Sequence, residues 1–174
     1  MSPWPFLDSK DEAEYLYAMD SAVTGLPEDM KLDNQLCFSI YAASRAITRA
    51  YRPLLDPLGL TYPQYLVLLT LWEHNGQSIN EIGCRLHLDS GTLTPLLKRM
   101  EQNHLLRRQR SAFDERRVEV WLEPRGVQLQ EPASKLPEQM AQLSHVDHTE
   151  ACRTKAFVDQ VLTKMLDCVT DDCP

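Results

Sequence analysis

The chain has 174 residues, with 25 Asp and Glu against 18 Lys and Arg, a formal net charge of −7 and 43% hydrophobic residues. That length supports one domain with a real core, or a domain plus extra helices, and the absence of any long apolar stretch argues against a membrane-spanning protein. The acid excess would argue against nucleic acid if it were spread evenly, but eight Asp or Glu against two Lys fall between Asp8 and Asp33, and seven Lys or Arg against three Asp or Glu fall between Lys98 and Arg117.

The start, MSPWPFLDSKDEAEYLY, has neither the basic opening nor the apolar run of a secretory signal, so a cytoplasmic location is expected. Residues 1–30 form an acidic, Pro-flanked extension with a short helix expected over Asp11–Ala22. A long helix is predicted from Leu32 to Leu58, because Leu36, Ile40, Ala43, Ile47, Leu54 and Leu58 recur at three-to-four spacing; Pro53 bends or interrupts it. After Gly59, Thr61 or Tyr62 caps a Leu-rich helix over Pro63–His74, with Pro63 in its first position and Asn75-Gly76 ending it.

Ser78 and Glu81 in "SINE" have capping-box spacing, so a short helix starts at Ile79 and reaches about Leu86. A tight link leads to "TLTPLLKRMEQN", a helix that must begin near Ser90–Thr92 because Pro95 is tolerated only close to its start. Leu93, Leu96, Leu97 and Met100 form its inner face, and Asn103 stops it. "LLRRQR" and "RRVEVWL" then flank a polar tip, and Val118, Val120 and Leu122 alternate with Arg117, Glu119 and Trp121 as in a half-buried strand, giving a hairpin. Beyond Pro124 a helical pattern resumes to about Leu143, and a last amphipathic helix covers Thr149–Val169.

Helix, short helix, tight turn, helix and basic hairpin is the order of a winged helix-turn-helix: mainly α with a small β-hairpin wing. Such a module sets the start of its second helix into the major groove, where Ser90, Thr92 and Thr94 meet bases or phosphates, with Lys98 and Arg99 further along near phosphate. The tip carries Asp114, Arg116 and Arg117; an Arg on a thin hairpin enters a narrow minor groove, and Asp114 is spaced to hold the Arg116 guanidinium by a bidentate pair. The expected partner is double-stranded DNA, a pseudo-palindromic operator bound by a homodimer.

Five cysteines, Cys37, Cys84, Cys152, Cys168 and Cys173, are scattered without a CxxC pair, which in a reducing compartment favours free thiols over a disulfide framework. No finger-like ligand spacing occurs, so neither a metal nor a cofactor is expected. Cys84 reads as a packing residue.

"LCFSIYAASRAITRAYRPLLDPLGLTYPQYLVLLTLWEH", "LDSGTLTPLLKRMEQ" and "DERRV" together resemble the MarR family, and more narrowly its OhrR-like branch, which senses organic hydroperoxide; the likeness runs from Leu32 to Glu138. It implies a cytosolic homodimeric repressor, not an enzyme, with a dimerisation helix over 31–62, a DNA-binding lobe over 63–123 and dimerisation helices over 124–174. It implies that Cys37 is the peroxide-reactive cysteine, with Tyr41, Tyr51 and Tyr62 as the tyrosines around that sulfur, and that Asp114 and Arg116 are the wing's Asp-x-Arg element. Helix geometry supports part of this. Tyr41 is four residues from Cys37 and adjacent on one face, whereas Tyr51 is about 21 Å along the axis at 1.5 Å per residue and reaches only the Cys37 of an antiparallel partner helix. A helix beginning at Leu32 puts Cys37 past the first turn, where dipole help is small. Some family members resolve the oxidised sulfur with a Cys just beyond a P-E-Q-like stretch; here Pro137–Gln142 contains none, and Cys152 is the best protein candidate. Organic hydroperoxide is then the inducer. The alternatives are a MarR-type repressor answering a small phenolic or acidic ligand at the dimer interface, and a thiol peroxidase, for which a basic wing has no use.

Overall fold

A computed structural model of the chain describes residues 26–111, 114 and 116–168. The helix expected over Asp11–Ala22, most of the N-terminal extension and Cys173 lie outside them. The chain divides into two compact units, with the boundary between Ala46 and Ile47.

In the first unit two 3-10 turns, Glu28–Met30 and Leu32–Asn34, precede the first helix, α1, which spans Leu36–Leu55 and continues into the second unit. The predicted helix was too long at both ends. Gln35 is extended at φ −90°, ψ 110°, and the Asn34 side-chain amide donates to the Glu28 carbonyl at 2.8 Å, holding the 3-10 turns apart from the helix. At the other end, Pro57 sits in a further 3-10 turn, Asp56–Leu58, closed by Gly59 at φ 67°. Pro53 is accommodated within the last turn of α1.

The second unit contains the core. α2 (Tyr62–Glu73) opens on Thr61, whose N–H donates to Gln64 Oε1 at 2.8 Å, and it buries Tyr65, Val67, Leu68 and Leu71. Pro63 takes its second position, where a missing N–H costs nothing. α3 (Ile79–Leu86) begins where the Ser78–Glu81 pair predicts, and α4 (Ser90–Gln102) follows it, burying Leu93, Leu97 and Met100. Strands β2 (Leu106–Arg110) and β3 (Val118–Leu122) form the expected hairpin, with Arg108 opposite Val120.

A further strand was not anticipated. β1 (Gln77–Ser78) pairs antiparallel with β3, giving the order β1-β3-β2. Two residues carry no periodicity of their own; the strand exists because its partner across the sheet supplies the ladder. Leu55, Leu60, Leu68, Leu71, Ile82, Leu97, Leu105, Leu106, Val120 and Leu136 close one continuous core from these elements, each large side chain contributing roughly 1.5–3 kcal/mol on burial.

The helix predicted from Pro124 to Leu143 is broken into α5 (Pro124–Gln128), α6 (Gln130–Ala133) and α7 (Leu136–Ser144). Pro132 and Pro137 lack the N–H groups that would bond the carbonyls four residues back. α8 (His148–Cys168) buries no residue; Phe157, Val158, Leu162 and Met165 are exposed, as are Leu36, Phe38, Tyr41 and Ile47 of α1. No helix among the described residues is long and apolar enough to cross a membrane.

Gly126 fixes the start of α5 against the core. A Cβ there would lie 2.1 Å from the Leu105 carbonyl oxygen, while the Gly126 carbonyl accepts the Trp72 indole N–H at 2.9 Å. Gly126→Ala is expected to lower stability by about 1–3 kcal/mol, the usual range for overpacking, measured by urea unfolding at fixed protein concentration.

Candidate nucleic-acid interface and thiol site

α4 is held at both ends by carboxylates. Asp89 caps it, accepting the Thr92 N–H at 2.9 Å and the Thr92 hydroxyl at 2.8 Å, and these bonds hold the Asp89 carboxyl below its ordinary range. The Thr92 hydroxyl is therefore occupied by the cap. Ser90 and Thr94 are exposed beside it, and their hydroxyls make no hydrogen bond among the described residues. Lys98 and Arg99 are exposed further along the helix.

At the other end, Glu101 ties α4 to β2. Its Oε1 accepts the Arg108 N–H at 2.8 Å, and its Oε2 accepts Arg108 Nε at 3.0 Å and Nη2 at 2.7 Å. The Arg108 side-chain bonds are the main cause that lowers the Glu101 pKa, against a smaller opposing effect of burial.

The wing departs from expectation in two respects. Asp114 does not hold the Arg116 guanidinium: its Oδ1 accepts the Arg116 backbone N–H at 3.0 Å, and its carbonyl accepts the Arg117 N–H at 2.9 Å, so it shapes the turn. A carboxylate two residues ahead of an N–H closes a local turn more readily than it meets a long side chain. Arg116 is exposed, and its guanidinium makes no ion pair among the described residues. Arg117, in contrast, donates from Nη2 to Glu81 Oε1 at 2.9 Å. Of the basic run, Arg108 and Arg117 thus have carboxylate partners, leaving Lys98, Arg99, Arg107, Arg110 and Arg116 to face outward. Arg107 and Arg110 were not singled out from the sequence, although their place in the basic strand offered the signal.

Cys37 is exposed and is the second residue of α1. The expectation that it lies beyond the first turn is corrected, because the helix starts four residues later than periodicity suggested. It therefore lies within the first turn of the helix. Tyr41, one turn on, is exposed; its hydroxyl accepts Arg45 Nη1 at 3.0 Å, and the guanidinium carbon lies 5.5 Å from the ring centroid. Arg45 was missed, though its i+4 spacing from Tyr41 marked it.

In the second unit Tyr51 and Tyr62 come together, with ring centroids 4.8 Å apart. Tyr65 joins them at 6.0 and 6.4 Å and meets Trp72 at 6.3 Å. Burial raises the pKa of all three tyrosines, so each remains a phenol and a potential O–H donor. Cys152 is exposed on α8, its Sγ 3.7 Å from His148 Nδ1. Cys37, Cys152 and Cys168 are free thiols, and half-buried Cys84 is not among them, which departs from the all-thiol expectation. No group of three or more potential metal ligands is assembled among the described residues.

The family described as the MarR family matches residues 60–118. The organic hydroperoxide resistance transcriptional regulator of Bacillus subtilis (strain 168) is 56% identical over 110 residues, covering 63% of this chain and 75% of that protein. Among solved structures, reduced AbfR bound to DNA is similar with a TM-score of 0.66 at 41% identity, over 79% of this chain and 96% of that one. Disulfide-formed AbfR is similar with a TM-score of 0.55 at 38% identity, over 89% of this chain and 99% of that one.

The Glu101–Arg108 tie gives a pH signature. The folded Glu101 carboxyl titrates below its ordinary 4.5, so its contribution is fully present above the unfolded value and is lost as pH falls through the folded one. Glu101→Gln should be less stable than the unaltered chain at pH 7 by about 1–2 kcal/mol, and the two stabilities should converge as pH drops below about 4. Urea unfolding across pH checks this.

Proposed function

The chain belongs to the MarR family, and we propose that it is a cytoplasmic, homodimeric repressor that releases operator DNA when organic hydroperoxide oxidises Cys37. One observation supports the DNA reading above others. An acidic chain keeps five outward cations on one helix-and-hairpin module, and its own carboxylates brace that module instead of cancelling those charges. Ser90 and Thr94 lie at the major-groove end of α4, Lys98 and Arg99 near phosphate, and Arg116 at the minor groove. The exposed apolar residues of α1 and α8 are the surfaces that pair two copies; such patches mark interaction sites. Affinity then depends on a local patch and falls steeply with salt.

The redox step follows from the sulfur's surroundings. The Cys37 thiolate attacks one peroxide oxygen. The O–O bond breaks, the sulfur gives up two electrons and becomes a sulfenic acid, and the other oxygen leaves as an alkoxide that takes a proton to give an alcohol. Tyr41, one helical turn from Cys37, is the neighbouring phenol within one chain. Tyr51 and Tyr62 of a partner whose first helix runs antiparallel complete the set. A small thiol then attacks the sulfenic sulfur, forming a mixed disulfide and releasing water. Cys152, beside His148, is the protein thiol that competes with it. A larger group at the interface changes the spacing of the two reading lobes. A difference of roughly 3–5 kcal/mol between the two states is enough for near-complete release, since each 1.4 is tenfold.

Cys37→Ser is expected to bind DNA from the region upstream of its own gene as tightly as the unaltered chain, and to stay bound when cumene hydroperoxide is added, in a gel-shift assay. Release of that variant by the peroxide would sink the sensing role. Mass spectrometry of the oxidised, unaltered chain should find Cys37 joined to the added small thiol; a Cys37–Cys152 crosslink would instead establish two-cysteine chemistry. Dithiothreitol should restore binding after oxidation but not after release by a bound phenolic ligand.

A further inference from the structure

We propose that Glu81 and Arg117 form a strut that sets the wing against the helix-turn-helix, so that Arg117 serves duplex binding as a positioning residue and not as a phosphate ligand. The inference rests on the DNA reading above and reassigns one of its expected contacts. The Glu81 carboxylate is used at both oxygens. Oε2 accepts the Ser78 backbone N–H and the Ser78 hydroxyl, both at 2.7 Å, while Oε1 accepts Arg117 Nη2 at 2.9 Å. The first two bonds cap α3; the third reaches a residue 36 positions further along the chain.

Arg117 is itself firmly fastened. Its N–H donates to the Asp114 carbonyl at 2.9 Å, and its carbonyl accepts the Ser111 N–H at 2.9 Å, which closes the base of the wing loop. Directly beyond it, β3 pairs with both β2 and β1, with Glu119 opposite Ser78. Ser78 therefore meets the wing twice, through the β1–β3 ladder and through Glu81 to Arg117. A projecting hairpin held only by its own ladder would pivot about its base; a guanidinium–carboxylate bond placed beside that base restrains the pivot. Arg116, the residue before it and without an ion pair among the described residues, then projects from a braced position. An exposed ion pair adds little to global stability, so its effect should be seen in duplex binding rather than in unfolding.

Two variants separate a strut from a phosphate contact by the sign of their effect. Glu81→Gln keeps an acceptor that suits the third position of a capping box and removes the charge facing Arg117; Arg117→Gln removes the other end. Binding of each, and of the double variant, is measured by fluorescence anisotropy on a labelled duplex of roughly 40 base pairs from upstream of the protein's own gene, room for two half-sites. Salt is varied between about 50 and 200 mM. Each single variant is expected to weaken binding about threefold or more, and the double variant no further, because both remove one interaction. The slope of log affinity against log salt should stay that of the unaltered chain, while Lys98→Gln, which removes one phosphate contact from each subunit of the dimer, lowers it by about 1.8. The proposal is overturned if Arg117→Gln lowers the slope by about 1.8 and Glu81→Gln tightens binding by freeing a cation, or if neither single variant changes affinity. Failure of the unaltered chain to bind the duplex at all would instead overturn the DNA reading, and this inference with it.

Discussion

The way α4 is held at its two ends is the constraint on which the rest depends. Asp89 accepts two donors from Thr92 at the start of the helix, and Glu101 accepts three from Arg108 at its end. Between them Leu93, Leu97 and Met100 lock the inner face into the core. A helix fastened in this way holds exposed Ser90, Thr94, Lys98 and Arg99 on its outer side, the face proposed to meet DNA.

The same logic explains how a chain with a net charge of −7 fits a polyanionic partner. Glu81, Asp89 and Glu101 are spent inside the module, each accepting hydrogen bonds that favour its charged form. Glu81 and Glu101 pair with Arg117 and Arg108, and Asp89 caps α4, so none of the three is paired with Lys98, Arg99, Arg107, Arg110 or Arg116. Summed charge therefore misleads, and the distribution decides.

How much of this was legible in the sequence varies with the range of the interaction. α3 was readable because the Ser78–Glu81 cap acts over three residues, and the start of α4 was bounded by Pro95. Features set by distant partners were not readable: β1 exists only because β3 pairs with it, and Arg117 looked like a free wing cation until the fold brought Glu81 beside it. Asp114 was assigned the wrong partner because spacing does not say whether a carboxylate will meet a side chain or the nearer N–H. The start of α1 was overrun because apolar periodicity continues through a 3-10 turn, and that error moved Cys37 away from the helix end where it belongs. The adjacency of Tyr41 to Cys37 followed from i+4 spacing, while the stacking of Tyr62 on Tyr51, with Tyr65 beside them, needed the turn at Gly59.

In the proposed repressor the state of one sulfur governs occupancy of DNA, and both quantities are measurable in the same sample. The reduced chain on its upstream duplex is titrated with cumene hydroperoxide, and at each step the bound fraction is read by anisotropy and the oxidation state of Cys37 by mass spectrometry. The account predicts that the bound fraction falls in step with loss of the Cys37 thiol and recovers with dithiothreitol. Release while Cys37 remains a thiol, or full occupancy after it is oxidised, would contradict it.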